Sequence, residues 1–124
     1  CALPQEAARP GMAALLEAIA ASGEASVLSV LKRFGAERGR FSFPMAGYTL
    51  ALDFPANDRS LKLMERLDAI TLDHGGRFYL AKDARMPREV LEAADGRVAA
   101  FRAMRERSGA KGLFVSAQSE RLGL

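Results

Sequence analysis

Gly75-Gly76-Arg77-Phe78-Tyr79-Leu80-Ala81-Lys82-Asp83-Ala84-Arg85 is the stretch on which the reading of this chain turns. A glycine pair closes an amphipathic helix, and the aromatic run after it predicts a strand over Arg77–Ala81. That strand delivers Lys82 between Ala81 and Asp83. A lysine at the end of an apolar strand is costly to bury, so it needs an anion, a carboxylate or water. The position is therefore a place to look for a ligand; a lysine reaching solvent is the plainer alternative.

Upstream, Asn57 or Asp58 is expected to cap the helix that ends at this glycine pair. Leu61, Met64, Leu67 and Ile70 carry its apolar face at helical spacing. Before it, Tyr48 to Phe54 alternates as a strand. Tyr48, Leu50, Leu52 and Phe54 form its core side, and Thr49, Ala51 and Asp53 the other. Val27 to Phe34 reads as an earlier strand with Leu28, Val30, Lys32 and Phe34 on one face. Residues 8–22 form an alanine- and leucine-rich helix with Met12, Leu15, Leu16 and Ile19 on one face, Pro10 in its first turn and Gly23 as its stop.

Downstream, Pro87–Ala94 and Arg97–Arg107 read as short helices broken by Gly96, and Leu113-Phe114-Val115 as a short apolar anchor. The expected order is helix, strand, strand, helix, strand. Only one crossover appears and no glycine-rich phosphate loop follows a strand, which argues against a doubly wound nucleotide fold. The expectation is an α+β domain: an open, mostly antiparallel sheet with helices on one face.

The 124 residues suffice for one domain with one modest core. A formal charge of +3, with Lys and Arg interspersed among acids, gives no case for nucleic acid as a partner. Cys1 is the only cysteine, which fits a reducing compartment, and no apolar run reaches the ~18 residues of a membrane span. The chain opens on Cys1 and not on methionine, as a piece of a longer polypeptide would.

The catalytic inventory is thin. His74, the only histidine, stands at a helix end, where capping carbonyls is its plainest use. One His and one Cys cannot build an ordinary zinc site, so no metal is expected. What remains is Lys32, Thr49, Asp53 and Lys82 on otherwise apolar strands. If the strands pair, Lys82 and Asp53 either neutralise each other or hold a polyhydroxylated ligand. On the plainer reading, Lys32 and Asp53 lie on a solvated sheet face.

Two segments at a kept spacing, Phe41-Ser42-Phe43-Pro44-Met45-Ala46-Gly47-Tyr48-Thr49-Leu50-Ala51-Leu52-Asp53-Phe54-Pro55 and then Gly75 to Arg85, resemble the C-terminal part of the decaprenylphosphoryl-β-D-ribose 2′-oxidases. These are aldonolactone-oxidase-like, FAD-linked enzymes of the vanillyl-alcohol oxidase superfamily. The resemblance extends through Val30-Leu31-Lys32-Arg33-Phe34-Gly35 and, more weakly, to Phe114-Val115-Ser116 and Arg121-Leu122. It implies that residues 1–124 are one substrate domain of a larger flavoenzyme, whose FAD is held mainly by an N-terminal domain of the same polypeptide.

By the same resemblance Tyr79 and Lys82 face the cofactor, Lys82 is the catalytic residue, and Lys32, Phe34, Thr49 and Ala51 line the substrate pocket. The implied substrate is a sugar or polyprenyl-phosphate sugar, and the implied location cytoplasmic, at a membrane only through that substrate. The best-known members carry cysteine at Ala51, asparagine at Thr49, tryptophan at Tyr48 and a Ser-Asp pair at Ser116-Ala117. A plain sugar-alcohol or aldonolactone oxidase, and a stand-alone α+β module that associates through its sheet edge, are the alternatives.

Overall fold

A computed structural model describes residues 1–37 and 39–124. Its elements are β1 (Ala2–Pro4), α1 (Gln5–Ser22), β2 (Leu28–Phe34), β3 (Gly47–Asp53), α2 (Asp58–Asp73), a 3-10 turn (Leu80–Lys82), α3 (Arg88–Ala94), α4 (Val98–Arg107), α5 (Ala110–Leu113) and α6 (Ala117–Leu122). The fold is α+β, with an open antiparallel sheet in the order β1-β3-β2.

The register sets Lys32 opposite Thr49, Val30 opposite Ala51 and Leu28 opposite Asp53, so these residues share a face as the alternation requires. The other face is the core side. Leu50 is buried with Leu3, Ala8, Leu15, Ala18, Leu63 and Leu67, and Tyr48, Leu52 and Phe54 pack against them. Close approach explains Gly47: a Cβ there would lie 2.0 Å from the Leu3 carbonyl oxygen. Asn57 is the cap of α2, its side chain accepting from Ser60 N–H at 2.9 Å.

The structure corrects several expectations. Helix α1 begins at Gln5, because β1 leads directly into it, so Pro10 lies inside the helix and not in its first turn. Leu16 points outward and is 54% exposed; the buried stripe is Ala8, Gly11, Leu15 and Ala18. Strand β1 was not foreseen, since three residues carry too little alternation to read. The strand expected over Arg77–Ala81 is a single bridge. Arg77 and Ala2 exchange N–H···O bonds of 2.8 and 2.9 Å, and the chain then leaves the sheet.

The alternation in that stretch is real, but it has another cause. Phe78 and Leu80 pack on a second core of Met86, Leu91, Val98 and Leu122, while Tyr79 points the opposite way in sequence parity and is 46% exposed. Leu113, Phe114 and Val115 are exposed and anchor nothing among the described residues. Among those residues no helix is long and apolar enough to cross a membrane.

Candidate functional site

A cleft of about 810 Å³ opens between the sheet, one flank of α2 and the strap 78–86. All six site residues read from the sequence border it: Lys32, Phe34, Thr49, Ala51, Tyr79 and Lys82. Their sources explain the convergence. Lys32 and Thr49 are register partners, Phe34 ends β2, and the strap carries Tyr79 and Lys82 back over the sheet.

Lys82 Nζ stands 3.9 Å from Asp53 Oδ1, with both side chains about half exposed. A pair this open and this long contributes little to stability and leaves the ammonium available. Thr49 is buried, and its hydroxyl donates to the Cys1 carbonyl at 2.7 Å. Its one proton is thus committed, and only acceptor capacity is left for a ligand. Lys32 is exposed on the edge strand, as the plainer reading had it, yet it forms part of the cleft rim.

Three residues escaped the sequence reading. Phe43, given no role by the sequence, joins the two halves of the site. Its ring lies 4.9 Å from Tyr79 and meets Phe34 edge-on at 5.9 Å. Asp68 and Arg85 form a bidentate pair with two 2.8 Å bonds in the cleft wall. Arg85 also reaches Met64 Sδ at 3.3 Å. A carboxylate on the buried stripe of α2 was the available signal, because such a group needs a partner.

The strap is pinned on its far side. Desolvation of the Asp83 carboxyl opposes ionisation, but N–H groups of Met86 and Arg85 and the Arg121 guanidinium outweigh it. Its pKa therefore lies below the usual carboxylate range. Asp95, beside Phe41 and Phe43, behaves alike: burial opposes, and the Arg97 side chain and N–H, with Arg77, prevail. His74 caps as expected, its Nδ1 2.8 Å from the Ile70 carbonyl.

An aromatic rim, an ammonium only loosely paired with Asp53 and a largely apolar lining suit a partly apolar ligand that also carries polar groups. The described residues place Tyr79 and Lys82 on the strap that borders this cleft. They contain no glycine-rich loop between a strand and a helix to cradle a diphosphate.

Comparison with known proteins agrees with the resemblance. The chain is 35% identical over 104 residues to decaprenylphosphoryl-β-D-ribose oxidase of Mycolicibacterium smegmatis, a match covering 83% of this chain and 23% of that protein. It is 37% identical over 112 residues to an uncharacterized protein from the mprA 5′ region of Streptomyces coelicolor, covering 89% of this chain and 30% of the relative. The matches thus span 23% and 30% of the lengths of these two curated relatives. No protein-family model matches it. It is homologous to a segment of a larger oxidase.

Proposed function

We propose, with that homology as the premise, that this chain is the substrate-domain end of an FAD-dependent oxidoreductase acting on a hydroxyl of a sugar or sugar lactone. The observation that supports this most is the convergence of all six residues on one cleft. Tyr79 and Lys82 would hold the ring end of FAD, and an N-terminal domain of the same polypeptide its diphosphate. When bound, FAD supplies a hydride acceptor, which no side chain can replace.

The chain's own residues orient and polarise. Lys82, open at 3.9 Å from Asp53, supplies a positive charge where negative charge develops and a donor to a substrate hydroxyl. Thr49 accepts from a second hydroxyl, Lys32 stands at the rim for a phosphate or a further hydroxyl, and Phe34 and Ala51 shape the pocket between them. A polyprenyl-phosphate sugar suits a cleft with an apolar floor and a cationic rim, and such a substrate would bring a cytoplasmic enzyme to a membrane surface.

A second reading rests on β2. Its outer edge is unpaired among the described strands, and Leu28 and Leu31 on it are 51% and 62% exposed, as in a module that pairs its edge with another chain. Purification of the complete polypeptide and of residues 1–124 separates the two. The expected result is bound flavin, bleached anaerobically by sugar substrates, in the complete protein and none in residues 1–124. A colourless complete protein, or flavin retained by residues 1–124 alone, contradicts the proposal.

A further inference from the structure

We infer that Gln118, on α6, is a positioning residue for Lys82, an inference that rests on the site reading above. The Lys82 turn has only two backbone bonds of its own here: Lys82 N–H reaches the Tyr79 carbonyl at 3.1 Å and Asp83 N–H the Leu80 carbonyl at 3.2 Å. Two bonds from outside the turn supplement these. Gln118 Nε2 donates to the Leu80 carbonyl at 2.5 Å and to the Asp83 carbonyl at 3.1 Å, bracketing Lys82 on both sides. Both partners are carbonyl oxygens, which only the NH₂ end of the amide can satisfy.

Gln118 is itself rigidly presented. Ser116 and Ser119 form a reciprocal cap at the start of α6, and Leu122 at its end is fully buried in the second core. One helical turn on from Gln118, Arg121 bonds the Asp83 carboxylate at 2.8 Å and also the Met86 carbonyl. Helix α6 therefore acts as a clamp on the strap, with Arg121 fixing its far end and Gln118 the turn that aims Lys82 into the cleft. Asp53 faces the ammonium from the opposite shore, too loosely to aim it alone.

The test uses the complete polypeptide and three variants, Lys82→Ala, Gln118→Leu and Gln118→Glu. Leucine keeps the bulk of Gln118 without a donor, and glutamate keeps the shape but presents only acceptors. Loss of the bracket should slow flavin reduction roughly 10- to 100-fold in both Gln118 variants, with KM nearly unchanged. Hydrogen exchange of the Lys82 and Asp83 amides should quicken while the melting temperature holds. Flavin reduction that falls in Lys82→Ala but not in Gln118→Leu overturns the role of Gln118 alone, as does a Gln118→Glu variant that behaves as wild type. Reduction unaffected in every variant overturns the site reading, and the inference with it.

Discussion

Two halves of this molecule solve the same packing problem with different chemistry. The sheet half buries aliphatic side chains: Leu3, Leu15, Leu50, Leu63 and Leu67 meet between β1, β3, α1 and α2. The half from Arg77 onward has a smaller core of Met86, Leu91, Val98 and Leu122, and ties its short helices down with guanidinium groups. Arg77 donates to the Pro44 carbonyl, Arg97 to that of Ser42, and Arg102 to those of Leu122 and Gly123. Arg105 bonds the Phe114 carbonyl and Arg121 that of Met86. Hydrophobic burial is non-directional, whereas an arginine fork fixes a backbone in place. The cleft lies where the halves meet, with its pocket wall from the first and its cation from the second.

Removing one anchor from each half should separate these roles. Leu15 is 2% exposed, and Leu15→Ala should cost about 2–5 kcal/mol, read as a lower midpoint in denaturant. Exchange of the strap amides should rise only with global unfolding. Asp83→Ala removes the partner of Arg121 and the acceptor for Met86 and Arg85 N–H. It should cost less, about 2–3 kcal/mol, since the pair is partly exposed. Exchange should then quicken first in residues 78–86. Equal local opening in the two variants would erase the contrast.

Acid offers a gentler version of the same comparison. Asp83 and Asp95 both lie below the ordinary carboxylate range, so each binds a proton less readily folded than unfolded. Their stabilisation is fully present above the unfolded value of about 3.9 and is lost as pH falls through the lower folded values. Below about pH 4 the half beyond Arg77 should lose amide protection before β3 and α1 do. Simultaneous loss, followed by NMR-detected exchange, would contradict the division.

The contrast also explains what could be read from residues alone. The meeting of Lys32 with Thr49 was implied by the family resemblance, whereas strands β2 and β3 and helix α2 follow from periodicity, because burial against one face leaves a period of 2 or 3.6. Arg77–Ala81 misled for the same reason. Phe78 and Leu80 alternate with Tyr79 because they pack on the second core, and only Arg77 bridges the sheet. Contacts from arginine to distant carbonyls have no period, so the clamp of Gln118 and Arg121 on the strap was invisible. Phe43 was hidden too: its ring joins Phe34 to Tyr79 only after the strap folds over the sheet.

The central question is whether the cation delivered by the second half works in a pocket built by the first. The direct measurement is the rate of flavin reduction by substrate in the complete polypeptide, wild type against Lys82→Ala, beside their stabilities. A contact made mainly in the transition state predicts a loss of about 2–4 kcal/mol of stabilisation, roughly 30- to 1,000-fold in rate. Stability should change by no more than ~0.5 kcal/mol, since the lysine is about half exposed and its ion pair spans 3.9 Å. Equal reduction rates in the two proteins would remove Lys82 from the chemistry and contradict the account.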